Sequence, residues 1–165
     1  MLLCALFLKG SDIMKLGFIG TGNLASAILK GVVVAKEIPA DEIMIFDVNL
    51  EKISQLCEEL SVNAAESANE VAAECEYVVI AVKPKDFEAL AKDISEEIRS
   101  NDSVIISTAA GTMLEKIQGY FGYDAKVIRI MPNINAAVGE SMTALCTSDR
   151  VACAEKEFAM NLCSY

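Results

Sequence analysis

Six residues, Gly20-Thr21-Gly22-Asn23-Leu24-Ala25, stand between the apolar run Lys15-Leu16-Gly17-Phe18-Ile19 and the helix-like stretch Ala25-Ser26-Ala27-Ile28-Leu29. No other stretch restricts the fold of the chain as tightly. A G-x-G-x-x-A loop fed by a strand and opening a helix requires a tight turn and a helix packed closely on the strand. The first glycine permits the turn, the second lets an anionic ligand reach the backbone, and the small Ala25 lets helix and strand touch. The unpaired N–H groups of the first helical turn and the positive end of the helix dipole suit such a loop to a pyrophosphate.

The remaining pattern repeats strand and helix without an internal repeat. Strands are predicted at Lys15–Gly20, Ile43–Phe46, Tyr77–Val82, Ser103–Ser107, Ala125–Ile130 and, shorter, Met142–Cys146. The unbroken apolar run from Tyr77 to Val82 suits a strand covered on both faces. Helices are predicted over Asn23–Lys36, Leu50–Leu60, from a capping box at Ser67–Glu70 to about Cys75, from Asp86 through Ile98, from a second box at Thr112–Glu115, and from Ser148 onward. Such alternation predicts an α/β fold, a doubly wound Rossmann-type, mainly parallel sheet with helices on both faces. Residues 14–147 are read as the dinucleotide-binding domain. Residues 1–13, ahead of a natural start at Met14, are read as a disordered or loosely packed extension.

Composition narrows the chemistry. With 14 basic against 24 acidic residues the net charge is −10, which argues against nucleic acid and anionic membrane as partners. There is no histidine, so Ser-His-Asp and Cys-His triads and histidine-ligated zinc are excluded within the chain. The six cysteines form no C-x-x-C pair and read as free thiols in a reducing compartment rather than a disulfide framework. The apolar opening Met1–Leu8 is too short to span a bilayer and lacks the flanks of a signal peptide. The expected location is cytoplasmic, with no metal site.

Ligands of doubly wound sheets bind beyond the carboxyl ends of the strands. Four loops converge there: Asp47, Lys83-Pro84, Ala109-Ala110-Gly111 and Pro132-Asn133 each follow a predicted strand. Asp47 lies 25 residues after Gly22, near the offset at which a carboxylate reaches the adenosine ribose. It would accept from the hydroxyls of NADH and repel the 2′-phosphate of NADPH, or simply close a solvated turn. Lys83 could attract a phosphate or ribose, or be solvated. Ala109 and Ala110 leave room for a flat ring, or form only a tight turn. Asn133 could orient a nicotinamide, or bond its own turn.

Taken together, Met14-Lys15-Leu16-Gly17-Phe18-Ile19-Gly20-Thr21-Gly22-Asn23-Leu24-Ala25, Ala81-Val82-Lys83-Pro84, Ser107-Thr108-Ala109-Ala110-Gly111 and Arg129-Ile130-Met131-Pro132-Asn133 resemble, in order and spacing, the pyrroline-5-carboxylate reductases. The resemblance runs from Met14 to the C-terminus. It implies reduction of 1-pyrroline-5-carboxylate to L-proline, the last step of proline biosynthesis, with NADPH or NADH as cofactor. It places Gly20, Thr21, Gly22, Asn23, Leu24 and Ala25 at the pyrophosphate. Ala81, Val82, Lys83, Pro84, Thr108, Ala109 and Ala110 would line the ribose and nicotinamide, with Asn133 beside the reacting end. Ser67 falls where the family often has a ribose-contacting asparagine, Asp47 departs from members that favour NADPH, and Ile134-Asn135 replaces the usual Thr-Pro.

Family members continue into an all-helical domain that forms the homo-oligomer and brings Ser-Ser-Pro-Ala and Ser-Pro-Gly-Gly-Thr segments to the substrate. Neither segment occurs here, and no residue of this chain is assigned as catalytic. The expectation is therefore a truncated form with little activity alone, in which residues 14–147 are the NAD(P)-binding domain and residues 148–165 the start of a truncated helical linker or C-terminal domain. Two alternatives are a stand-alone dinucleotide-binding regulatory module and the N-terminal half of a related NAD(P)-dependent hydroxyacid dehydrogenase. The apolar stripe Val151, Phe158, Leu162 suits either a helix missing its neighbours or one facing its own core.

Overall fold

The computed structural model describes residues 14–132 and 143–164; the expectations for residues 1–13, Asn133 and Met142 lie outside them. The first β-α unit is β1 (Met14–Ile19) and α1 (Asn23–Ala35), followed by a 3-10 turn at Ala40–Glu42. Next come β2 (Ile43–Phe46), α2 (Leu50–Leu60), β3 (Asn63–Ala64), α3 (Ala68–Glu74) and β4 (Cys75–Ile80). Then follow α4 (Pro84–Asp93), α5 (Ser95–Asn101), β5 (Val104–Ser107), α6 (Leu114–Tyr120), β6 (Val127–Pro132), β7 (Thr143–Thr147) and α7 (Cys153–Leu162).

These strands form one sheet in the order β3-β2-β1-β4-β5-β6-β7. The first six are parallel and β7 runs antiparallel to β6 at the edge. The predicted α/β doubly wound architecture is therefore the observed one. Successive strand residues divide between two cores, as a period of two requires. Phe18, Ile45, Val79 and Ile106 face the layer of α1, α2 and α7, while Ile19, Met44, Ile80 and Ile105 face α3 to α6. The chain leaves β1 toward one side and returns to its other side as β4, so the strand order reverses between β1 and β4. In an open parallel sheet that reversal opens a crevice at the carboxyl ends.

Several boundaries differ from the sequence reading, each for a local reason. The buried run starts and ends earlier than predicted, with β4 at Cys75–Ile80. Ala81 and Val82 turn out of the strand toward α4, which begins at Pro84 with Lys83 rather than Asp86 as its N-cap. Proline suits this first helical position because its missing N–H has no partner to lose. The single helix expected through Ile98 is two, broken at Ile94, and Phe87, Ala91, Ile94 and Ile98 are all buried.

The Ser67 box is partly realised. Its Oγ accepts from the Glu70 N–H at 3.1 Å, but the Glu70 carboxylate accepts from Glu66 rather than Ser67. At Thr112 no cap forms, and α6 starts at Leu114 with Met113 as an N-cap lacking a side-chain bond. Ser148 does not begin a helix. Its buried hydroxyl accepts from the Val127 N–H and donates to the Ala125 carbonyl, both at 3.0 Å, stitching the chain to β6.

The helix starts instead at Cys153, and its stripe faces the chain's own core. Phe158 stacks on Tyr77 with ring centroids 3.8 Å apart, and Ala159 and Leu162 are buried in the α1/α2 layer. No helix among the described residues is long and apolar enough to cross a membrane.

Candidate functional site

The site grows from the turn after β1. Gly20 has φ +92, a left-handed conformation that glycine tolerates and other residues resist. Its N–H donates to the Phe46 carbonyl at 2.8 Å, and the Ala81 N–H donates to the Ile19 carbonyl at 2.9 Å. The loop is thereby threaded between the ends of β2 and β4. A Cβ on Gly20 would lie 2.7 Å from the Ala81 carbonyl oxygen, so the position excludes any side chain.

Gly22 differs: it is exposed, and a Cβ there would meet nothing within 4 Å. It is the N-cap of α1, with no side-chain cap and no acidic residue in the first turn. The first intrahelical bond runs from the Ser26 N–H to the Gly22 carbonyl at 2.9 Å. The N–H groups of Asn23, Leu24 and Ala25 therefore precede the helical ladder, as at any helix start. Ala25 itself is buried against the strand layer, which is the close packing that a small residue permits.

Thr21 binds the loop to the next strand. Its N–H and its hydroxyl both donate to Asp47 Oδ2, at 2.6 and 2.9 Å, and its carbonyl accepts from the Ser26 hydroxyl at 2.8 Å. Asp47 Oδ1 accepts from the Asn49 N–H at 3.0 Å. Partial burial pushes the Asp47 carboxyl upward, but the N–H groups of Thr21 and Asn49, the Thr21 hydroxyl and the Lys52 charge together outweigh it. The net effect holds Asp47 below the ordinary carboxylate value.

Beside this loop lies a cleft of about 440 Å³ at the β1/β4 switch point. Its walls are apolar, from Ile19, Phe46, Ala81, Val82 and Leu90, and its rim carries Asp47, Lys83 and Asp86. Of the residues singled out in the sequence, Gly20, Gly22, Asp47, Ala81, Val82 and Lys83 line this one cleft. Pro84 opens the helix at its edge. Ile19, Phe46, Val48, Asp86 and Leu90 line it as well, and the sequence reading gave none of them a binding role. Val48 had a signal in its place, a large apolar residue directly after Asp47, and it is 90% exposed.

Other expected positions lie outside the cleft. Thr108 donates from both its N–H and its hydroxyl to the Ile80 carbonyl, at 3.2 and 3.3 Å, at the end of the neighbouring β5. Ala109 is buried and Ala110 exposed beside it. The Arg129 guanidinium reaches the Ala109 carbonyl at 3.5 Å, a contact the sequence reading missed. Ser67 caps α3 and does not line the cleft. No group of three or more metal-ligating side chains occurs among the described residues.

The arrangement has clear likenesses. A family model described as NADP oxidoreductase coenzyme F420-dependent matches residues 15–111. The pyrroline-5-carboxylate reductase of Escherichia coli (strain K12) is 36% identical over 131 residues, covering 79% of this chain and 48% of that protein. The structure of a pyrroline-5-carboxylate reductase from Coxiella burnetii superposes with a TM-score of 0.86 at 24% identity, over 92% of this chain and 56% of that one. A Plasmodium falciparum pyrroline carboxylate reductase with NADP bound superposes with a TM-score of 0.80 at 25% identity, over 94% and 56%. The chain spans about half the length of the curated relatives it matches.

Proposed function

The chain belongs to the family described as NADP oxidoreductase coenzyme F420-dependent, and from that premise we propose that it is the dinucleotide-binding part of a pyrroline-5-carboxylate reductase. The observation that carries the reading is the glycine loop itself. Gly20 is pressed against the Ala81 carbonyl, while Gly22 stands open beneath the uncapped first turn of α1, above an apolar cleft. These residues fit a dinucleotide: the N–H groups of Asn23, Leu24 and Ala25 would receive the pyrophosphate, which the helix dipole favours. The apolar walls Val82 and Leu90 would exclude water from the bound ring system, and the rim carboxylate Asp47 would meet a ribose.

When bound, the reduced nicotinamide would supply a hydride to the imine carbon of 1-pyrroline-5-carboxylate, and with a proton from water on the ring nitrogen the product is L-proline. The part of this chain is orientation, through the backbone at Gly20–Ala25 and the walls at Ala81 and Val82. Thr108, Ala109 and Ala110, just beyond β5, would lie toward the nicotinamide end. Proline biosynthesis in the cytoplasm, as a homo-oligomer of the whole enzyme, is the matching cellular role.

Two measurements test this. The purified chain should bind NADH or NADPH saturably, and Gly22→Val should abolish binding while the protein remains folded. For the substrate, residues 14–147 joined to the remaining half of the Escherichia coli relative should oxidise reduced cofactor only when 1-pyrroline-5-carboxylate is present. Oxidation driven instead by small hydroxy-acid or keto-acid pairs would contradict the assignment.

A further inference from the structure

Asp47 is bound to the glycine loop more firmly than a ribose contact alone requires. A carboxylate has about four acceptor positions, two on each oxygen. Both positions of Oδ2 are taken by Thr21, and one on Oδ1 is taken by Asn49. One acceptor position remains. Thr21 is 1% exposed, so its hydroxyl has no water to turn to, and it holds the carboxylate in one orientation at the cleft rim.

What surrounds Asp47 is equally one-sided. The turn Val48-Asn49-Leu50-Glu51 follows it, with Val48 90% and Leu50 75% exposed. Neither side chain can donate to a phosphate. The amino end of α2 carries Glu51 in its first turn, and the Asn49 side chain already caps it by accepting from the Lys52 N–H at 3.1 Å. Among the described residues, Lys52 is the cation whose charge acts on Asp47.

We infer that Thr21 is the positioning residue for cofactor choice: by fixing the Asp47 carboxylate at the ribose corner it selects a dinucleotide with a free 2′-hydroxyl, NADH, over one with a 2′-phosphate, NADPH. This rests on the cleft being the dinucleotide site, as proposed above. A hydroxyl can donate to the remaining acceptor position, whereas a phosphate dianion meets a fixed negative charge that the nearby Lys52 offsets only in part. Releasing the carboxylate weakens both effects at once. The hydroxyl loses a fixed acceptor, and the phosphate escapes part of the repulsion.

The test is fluorescence titration of the full chain with NADH and NADPH separately, for the unmutated protein, Thr21→Val, Thr21→Ser and Asp47→Asn. Each protein is first checked for folding by circular dichroism, with Thr21→Ala as substitute should Thr21→Val not fold. The unmutated chain should bind NADH about tenfold more tightly than NADPH. Thr21→Val should shrink that ratio to about threefold, mainly by weakening NADH, and Asp47→Asn should bring it near one. Thr21→Ser, which keeps the hydroxyl, should restore the full ratio. A general loosening of the loop would weaken both nucleotides alike and leave the ratio unmoved. An unchanged ratio in Thr21→Val, or tighter NADPH binding by the unmutated chain, overturns the inference while the dinucleotide reading stands. Failure of the folded, unmutated chain to bind either nucleotide overturns both.

Discussion

Two glycines two residues apart separate folding from binding. At Gly20 a methyl group would meet both a left-handed φ and the Ala81 carbonyl. Gly20→Ala should therefore lower stability by about 1–3 kcal/mol, read as a fall in the thermal midpoint. At Gly22, with φ −57 and open space around it, alanine removes only glycine's advantage as a helix N-cap and should cost no more than about 1 kcal/mol. Nucleotide binding should nonetheless weaken, because the methyl group would project where the pyrophosphate approaches. Asp47 adds a pH dependence. Its folded pKa lies below the ordinary 3.8, so its contribution to stability is present above the unfolded value and lost as pH falls through the folded one. Thermal midpoints of the unmutated chain and Asp47→Asn should differ at neutral pH and converge below about pH 4.

Among the elements, α7 makes the most specific claim, that this sheet has its own cover. Phe158 stacks on Tyr77, with the Lys15 ammonium 5.0 Å from the Tyr77 ring centre, and Leu162 is 2% exposed. At its start, Lys126 bridges Asp102 at 2.6 Å and Glu155 at 2.9 Å, and Arg150 joins Asp102 at 3.0 Å. The Asp102 pairs are exposed on the aspartate side and contribute little, the sheltered Lys126–Glu155 pair contributes more, and apolar burial most. Leu162→Ala should therefore cost about 2–4 kcal/mol in urea unfolding, and Glu155→Gln about 1–2 kcal/mol.

The strands of the parallel core were legible because each is a short apolar run between turn signals. Their helices were legible because Ile28, Leu29 and Val32, or Ile53 and Leu56, repeat at helical spacing. β3 was not, since two exposed residues carry no periodicity and only pairing with β2 defines them. The break at Ile94 was hidden because an apolar residue fits a continuous helix equally well. Ser148 looked like a cap, and only the neighbouring strand shows that its hydroxyl serves Val127 and Ala125. Within the candidate site, the glycines, Asp47 and Ala81–Lys83 could be read from spacing. The bond between Thr21 and Asp47 could not, because it joins residues 26 positions apart through a loop whose shape is tertiary.

On the scale of the whole molecule, a chain of net charge −10 is asked to hold an anionic ligand. Backbone dipoles at one helix end can do so locally, while the global charge opposes approach. Added salt should therefore speed nucleotide association, and stopped-flow rates that fall with salt would contradict this balance. Binding should also raise the thermal midpoint, since a ligand at a hundred times its Kd adds about 2.7 kcal/mol of stability.

The central claim is that the turn from β1 into α1 holds the pyrophosphate of a dinucleotide. It is tested most directly by amide-resolved NMR titration of the chain with NADH. Saturable shifts should be largest at the N–H groups of Gly22, Asn23, Leu24 and Ala25, with those of Ser100 and Gly122 at the opposite edge unmoved. Saturable binding that leaves the amides of Gly22 to Ala25 unmoved, or no binding by the folded chain, would contradict it.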